Sequence, residues 1–383
     1  MSTLFRKLKA WLAAWLLQGW VLALWSNRKM RRLEAEYLKV LLENSTRSST
    51  PEKPRVWGRG EPLRSILFIG DVGWEAQQLF PELQRICPVE IIDLHPHLAP
   101  EGRAGDPVKV AACLRDAFAS RANQSPDVVL FYARSNLLSA EVFDLIRVQF
   151  KCPLLGLNLD DKIEFLDYQL LSEQTDNYQQ WAGHFDLNLT NVRAAVDLYG
   201  DRGFAVYYMP EGYHLDQEPP RFPVDRYAHL LSFVGQWKPE RAAFIEELRR
   251  RGVPITLMGR GWPGAARIDD PASVYRSSQM TLGISFAAPF TRLTTMKARD
   301  FECPGAGTCY LTTFNWELGL HFEIGREILC YRSMEELVEI FSFYRRRPDE
   351  CFKIAQAGYE RCRRDHTWEK RFHELFQSAG FKC

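Results

Sequence analysis

Glu302 stands in the run Phe301-Glu302-Cys303-Pro304-Gly305-Ala306-Gly307, one turn before a helix should give way to a glycine bend. A carboxylate there can accept both hydroxyl hydrogens of a vicinal diol, as on a ribose, and a glycine such as Gly305 lets a ligand approach the backbone. A glutamate on the surface of a packing helix has the same spacing, so the run alone leaves both readings open. Lys238 and Arg241 flank Pro239 just after an apolar run that ends at Gly235. Two cations near a helix N-terminus make an anion site, although a pair of solvated side chains fits the spacing too. Asp160 and Asp161 close the run Leu157-Asn158-Leu159-Asp160-Asp161. An acidic pair at a strand end can hold a divalent cation, supply a general base or cap the next helix. His95-Pro96-His97 is the only close histidine pair, and without partner ligands nearby in sequence it gives no metal site.

The elements that must position these residues follow from apolar patterning. From Ser65 onward, short apolar runs at 65–71, 89–94, 127–133, 153–160 and 185–190 read as buried strands, with helices between them at Val108 to Ser120 and Ser139 to Phe150. Strands separated by helices imply right-handed βαβ units and a parallel sheet. A second series begins near residue 230: a strand to Gly235, a helix opened by Pro239 and stopped at Gly252, and strands at 255–259 and 280–286. It continues with a helix from Lys297 to Cys303, a turn at 304–307, and strands at Thr308 to Thr312 and Glu327 to Tyr331. Ligands of such sheets gather at the carboxyl ends of the strands. Gly70 and Gly73 follow the first strand, but a lone G-x-x-G is weak evidence for phosphate binding. Between the two series, residues 205–226 contain four prolines and several charges, the best boundary in the chain. Ser333 and Glu336 form a capping box for a later helix, and Phe372, Leu375 and Phe376 mark the face of a last one.

With 383 residues and 46% hydrophobic content, the chain can bury two cores. Lys plus Arg number 49 against 48 for Asp plus Glu, so no global basic field recruits nucleic acid. Nine scattered cysteines without a C-x-x-C read as reduced thiols rather than a disulfide frame or zinc site. Residues 10–25 are apolar but for Gln18 and hold four tryptophans, with basic flanks and no acid in the first 32 residues. At 1.5 Å per residue that run spans roughly 24 Å against a hydrocarbon core of ~30 Å, which suits a membrane interface better than a single span. A terminal helix packed on its own protein is the competing reading. Leu33, Tyr37, Val40 and Leu41 continue the helical spacing, and a Pro/Ser/Thr-rich linker follows.

The motifs FECPGAG with YLTT, FEIGREILCYRSMEEL and IAQAGYERCRRDHTWEKR resemble the CgeB-like (spore maturation protein type) glycosyltransferases of the GT-B superfamily. The resemblance covers about residues 228–375, with weaker similarity back to about 64. It implies an α/β fold of two Rossmann-like domains facing a cleft, preceded by the N-terminal apolar/amphipathic helix. The expected layout is a membrane-associating helix and stalk at 1–44, a linker at 45–60 and an acceptor domain at 61–210. An interdomain linker at 211–227, a donor domain at 228–365 and a crossover helix at 366–383 complete it. The implied activity is sugar transfer, hexosyltransferase-like and metal-independent, without a cofactor, from a UDP-, GDP- or dTDP-sugar to a glycan, lipid or protein acceptor. Residues 1–32 would bring the enzyme to the cytoplasmic face of a membrane for envelope or cell-surface glycan synthesis. Donor contacts carry over to Gly235, Lys238, Arg241, Gly259, Arg299, Glu302 and Gly305, with Arg241 on the pyrophosphate and Glu302 on the ribose. Asp161, on the acceptor side, and His214, just past the Pro210-Glu211-Gly212 turn, are the catalytic candidates. Many relatives carry a second glutamate eight residues earlier; Thr294 stands there, so retention or inversion stays open. A non-catalytic envelope or coat binding protein and a sugar epimerase are the rival functions.

Overall fold

The computed structural model describes Ala35 and residues 56–383 except 71, 74, 98–105, 122–124, 133–136, 160, 162–177, 215–226, 266–267, 269 and 287–293. The expected membrane helix and stalk, most of the 45–60 linker, most of the interdomain linker, and Asp160 lie outside the described residues. Among the described residues no helix is long and apolar enough to cross a membrane.

The first domain runs β1 Ile66–Gly70, α1 Glu75–Gln78, α2 Phe80–Leu83, β2 Val89–Asp93, α3 Pro107–Ala119 and β3 Val128–Tyr132. It continues with α4 Ala140–Gln149, β4 Leu154–Asn158, β5 Leu187–Thr190, α5 Arg193–Gly200 and β6 Val206–Tyr208. All pairings are parallel, in the order β2-β1-β3-β4-β5-β6. The central strands are continuous apolar runs because helices cover both faces. Leu67, Ile69, Val129 and Phe131 face α3, α4 and α5. Ile66, Phe68, Val128 and Leu130 face α2 and a helix from the far end of the chain. Local chemistry sets the helix starts: the Asp106 carboxylate accepts from the Val108 N–H at 3.1 Å, and Ser139 Oγ accepts from that of Val142 at 3.3 Å.

The second domain comprises β7 His229–Val234, α6 Pro239–Arg250, β8 Thr256–Met258, α7 Pro271–Arg276, β9 Ser278–Leu282 and α8 Arg299–Gly305. After these come β10 Cys309–Thr313, β11 Leu329–Tyr331, α9 Met334–Tyr344, α10 Pro348–Asp365 and α11 Trp368–Ser378. Its sheet is again parallel, ordered β11-β10-β9-β7-β8. β9 lies two residues earlier than its apolar pattern predicts at its start, and four earlier at its end. The reason is a buried hydroxyl ladder: Ser278 Oγ donates to Ser232 Oγ at 2.8 Å, and Thr281 meets Ser232 at 3.3 Å and Thr308 at 3.1 Å. Polar residues satisfied in this way can occupy a central strand.

Two chain segments cross between the domains side by side. The Tyr213 N–H donates to the His366 carbonyl and the Trp368 N–H to the Tyr213 carbonyl, each at 3.1 Å. α11 then returns to the first domain, where Trp368, Phe372, Leu375 and Phe376 complete the core beneath β1 and β3.

Candidate functional site

In each sheet the strand order reverses beside the first strand, and the crevice at the carboxyl ends there is where open α/β sheets take ligands. In the second domain that point lies between β7 and β9, and two arginines meet at its β7 side. Arg299, the first residue of α8, donates from Nε to the Val234 carbonyl at 3.1 Å and lies 5.1 Å from the Phe233 ring centre. Arg241, in the first turn of α6, donates from Nη1 to the Gln236 carbonyl at 2.9 Å and lies 5.9 Å from the same ring. Neither forms an ion pair with any described carboxylate, and Arg299 Nη1 is enclosed without a partner. Burial first, and then repulsion by Arg299, bring the Arg241 pKa down from 12.5 to about 10. Both therefore stay cationic at neutral pH. Asp300 favours the charge of Arg299 and Glu240 that of Arg241, but neither carboxylate forms an ion pair with them. Two desolvated guanidinium groups without an ion-pair partner are an arrangement that a diphosphate can complete.

The surrounding backbone serves the same point. Lys238 is the N-cap of α6 and provides no side-chain cap, so the N–H groups of that first turn face outward from the helix end. Gly235 gives way to Arg299: a Cβ there would stand 2.8 Å from Nη2. Glu302 lies one turn after Arg299, half-buried, with its side chain on the same face of α8 by i,i+3 spacing. Asp300, which the sequence reading passed over, anchors this helix start. It accepts from the Tyr310 hydroxyl at 2.7 Å, the Thr312 hydroxyl at 3.3 Å and the Lys297 N–H at 2.7 Å, and burial raises its pKa. The run Asp300-Phe301-Glu302 carries no local sign of this, because the partners Tyr310 and Thr312 belong to β10.

Three expected site residues have other work. Gly305 is no open bend: it ends α8, and a Cβ there would stand 2.7 Å from the Tyr213 ring, so the glycine admits an interdomain aromatic rather than a ligand. The positive φ expected of a turn occurs at Gly307 instead, at 79°. Gly259, at φ 115°, lets the ends of β7 and β8 close together, since a Cβ would stand 2.6 Å from the Gly235 carbonyl. Trp262 Nε1 seals that junction by donating to the same carbonyl at 2.8 Å. Asp161 is wholly buried; its carboxylate accepts from the Tyr199 hydroxyl at 3.0 Å and from Asn158 Nδ2. That network fixes the end of β4 and offers no open base.

His214 is half-buried where the hinge meets α2. Its Nδ1 lies 2.8 Å from Oε1 of Glu82, a fully buried carboxylate that also pairs with Arg85 at 2.8 Å and accepts from the Glu369 N–H at 3.3 Å. A carboxylate on Nδ1 fixes the imidazole tautomer and directs Nε2 outward as a base. Among the described residues no group of three or more His, Cys, Asp or Glu is arranged to hold a metal ion.

Two parallel sheets of Rossmann type, each with a switch point beside its first strand, and a C-terminal helix that crosses back to the first define the GT-B class of fold. Within it, residues 240–377 match the family described as glycosyl transferase-like. The fold is similar to sucrose-phosphate synthase from Thermosynechococcus elongatus at a TM-score of 0.54 and 13% identity, over 82% of this chain and 98% of that one. It is similar to Anabaena HepE, solved in complex with UDP and glucose, at 0.57 and 12% over 82% and 99%. An alpha-glucosyltransferase solved with UDP and a 13-mer DNA gives 0.54 and 10% over 82% and 98%. At these identities the likeness is one of fold. No curated protein matches the chain.

Proposed function

We propose that this protein is a glycosyltransferase that binds a nucleotide sugar in the second domain and passes the sugar to an acceptor held by the first. The carrying observation is the pair Arg241 and Arg299, which converge over Phe233 without an ion-pair partner, Arg299 Nη1 having no hydrogen bond, one turn from Glu302. In this reading the two guanidinium groups and the α6 N-terminus clamp the diphosphate as it leaves, so that charge developing in the transition state meets fixed donors. Glu302 holds the ribose diol. His214, oriented by Glu82, takes the proton of the acceptor hydroxyl. The neighbours solved with UDP, and the glycosyl transferase-like family match over residues 240–377, support a uridine donor as the first to test. The CgeB-like motifs support the same subtype, with a hexosyl group moved without a metal. Residues 1–32 would hold the enzyme at a membrane surface, with a glycan, lipid or protein as acceptor.

The test is calorimetry with UDP on the full chain, followed by mass-spectrometric assay of a panel of UDP-sugars with and without membrane extract. UDP binding with release of UDP from one sugar donor is expected. Binding without turnover in the presence of extract would make the protein a binding module that keeps the fold, and no binding of any nucleoside diphosphate ends the proposal. Cell fractionation that leaves the full chain in the supernatant would remove the membrane part alone.

A further inference from the structure

A second pocket, of about 420 Å³, opens at the hinge, between Tyr207, Tyr208 and Pro210 on one side and His321, His366 and Arg371 on the other. Its volume is that of a small-molecule site, and both domains supply its walls. Arg371 is the group that gives it chemistry. The guanidinium lies 5.8 Å from the Phe301 ring centre and donates from Nη2 to His366 Nδ1 at 2.8 Å. His366 Nε2 in turn donates to the His321 carbonyl at 2.9 Å, and His321 Nε2 meets the Tyr208 hydroxyl at 2.9 Å. The two imidazoles are neutral near pH 7: burial above all, with the charge of Arg371 next, holds His366 near 3 and His321 near 2. Burial likewise keeps the Tyr208 hydroxyl protonated. Arg371 Nε is enclosed and has no hydrogen-bond partner.

Nor does a described carboxylate form an ion pair with it. Asp365, on the pocket wall, is taken by Arg364 at 2.9 Å, Arg361 at 3.2 Å and Lys370 at 3.3 Å. Glu374, one turn along the same helix and also on the wall, favours the charge of Arg371 without forming an ion pair with it. A largely buried cation whose direct contacts, His366 and the Phe301 ring, are neutral is costly unless something negative reaches it. We infer that this hinge pocket binds a small oxyanion, a phosphate or carboxylate on a molecule of up to about sugar-phosphate size, with Arg371 as its counter-charge. Since β6 and the α10–α11 corner both touch the pocket, an occupant is held by the two domains at once.

Titration of inorganic phosphate by calorimetry into the full chain, and into Arg241→Ala, separates this site from the donor cleft. We expect binding that survives Arg241→Ala, weakens about tenfold or more in Arg371→Met, and stays within about threefold of wild type in Arg371→Lys. Acetate in place of phosphate tells a carboxylate ligand from a phosphate one. If Arg371→Met fails to fold, Leu320→Trp takes its place: Leu320 is 51% exposed on the rim, so tryptophan there blocks the mouth without entering the core. Binding that disappears in Arg241→Ala, binding unchanged in folded Arg371→Met or in Leu320→Trp, or no binding to wild type each overturn the inference.

Discussion

Replacing Arg241 with alanine should leave the empty protein about as stable as before while removing most of its hold on a nucleoside diphosphate. The fall in the Arg241 pKa from 12.5 to about 10 corresponds, at 1.36 kcal/mol per unit, to about 3 kcal/mol against the charged form. Burial is the larger cause and Arg299 the lesser, and alanine, which carries no charge, relieves both. The same change forfeits the contact with the Phe233 ring, worth about 0.5–1 kcal/mol, and the charge-assisted bond to the Gln236 carbonyl, worth about 1.5–3 kcal/mol, so gain and loss nearly cancel. The diphosphate, by contrast, loses a charge-assisted bond worth about 1.5–3 kcal/mol, or about 10- to 150-fold in affinity. Thermal unfolding with and without UDP reads both quantities. At a UDP concentration 100 times the wild-type Kd, wild type gains about 2.7 kcal/mol, whereas a variant bound 100-fold more weakly gains about 0.4 kcal/mol. A loss of about 2 kcal/mol in the unliganded variant, with the UDP-induced shift intact, would show that Arg241 is a structural residue and that the phosphates lie elsewhere.

Glu302→Gln should weaken UDP binding about tenfold or more with little change in stability, and a 2′,3′-dideoxy nucleotide should bind wild type and variant alike; equal loss with both ligands would place the ribose elsewhere. Gly305→Ala must push against Tyr213 and should cost about 1–3 kcal/mol in urea unfolding, with UDP affinity in the folded protein unchanged. Acid should unfold the protein through its hinge histidines. Their folded values near 2 and 3 lie below the unfolded value of 6.5, so the stability they lend is present above pH 6.5 and lost as pH falls toward 3, by up to about 1.4 kcal/mol per pH unit each. Urea midpoints at pH 7 and pH 5 should therefore differ less in His366→Gln than in wild type, and identical slopes would mean that His366 is charged in the fold.

The sequence by itself determined the strands and most helix ends. A strand buried on both faces must be a nearly unbroken apolar run, and such runs mark β1 to β5 to within two residues at either end; Ser139 and Ser333 announced helix starts because a cap acts on its own first turn. The types of Arg241, Arg299 and Glu302 were also legible, since spacing along a helix or after a strand is local. Only the tertiary structure decided what those residues face. Phe233 gathers two arginines that lie 58 positions apart, and nothing local to either predicts the other. Asp161 and Gly305 had the right chemistry and the right local pattern for a site, yet Tyr199 and Tyr213, distant in sequence, occupy the space beside them. The hinge pocket has no sequence signature at all, because strand β6, the loop after β10 and the α10–α11 corner meet only when α11 crosses back to the first core. Burial and pairing are properties of that meeting, and a linear pattern of residue types does not contain them.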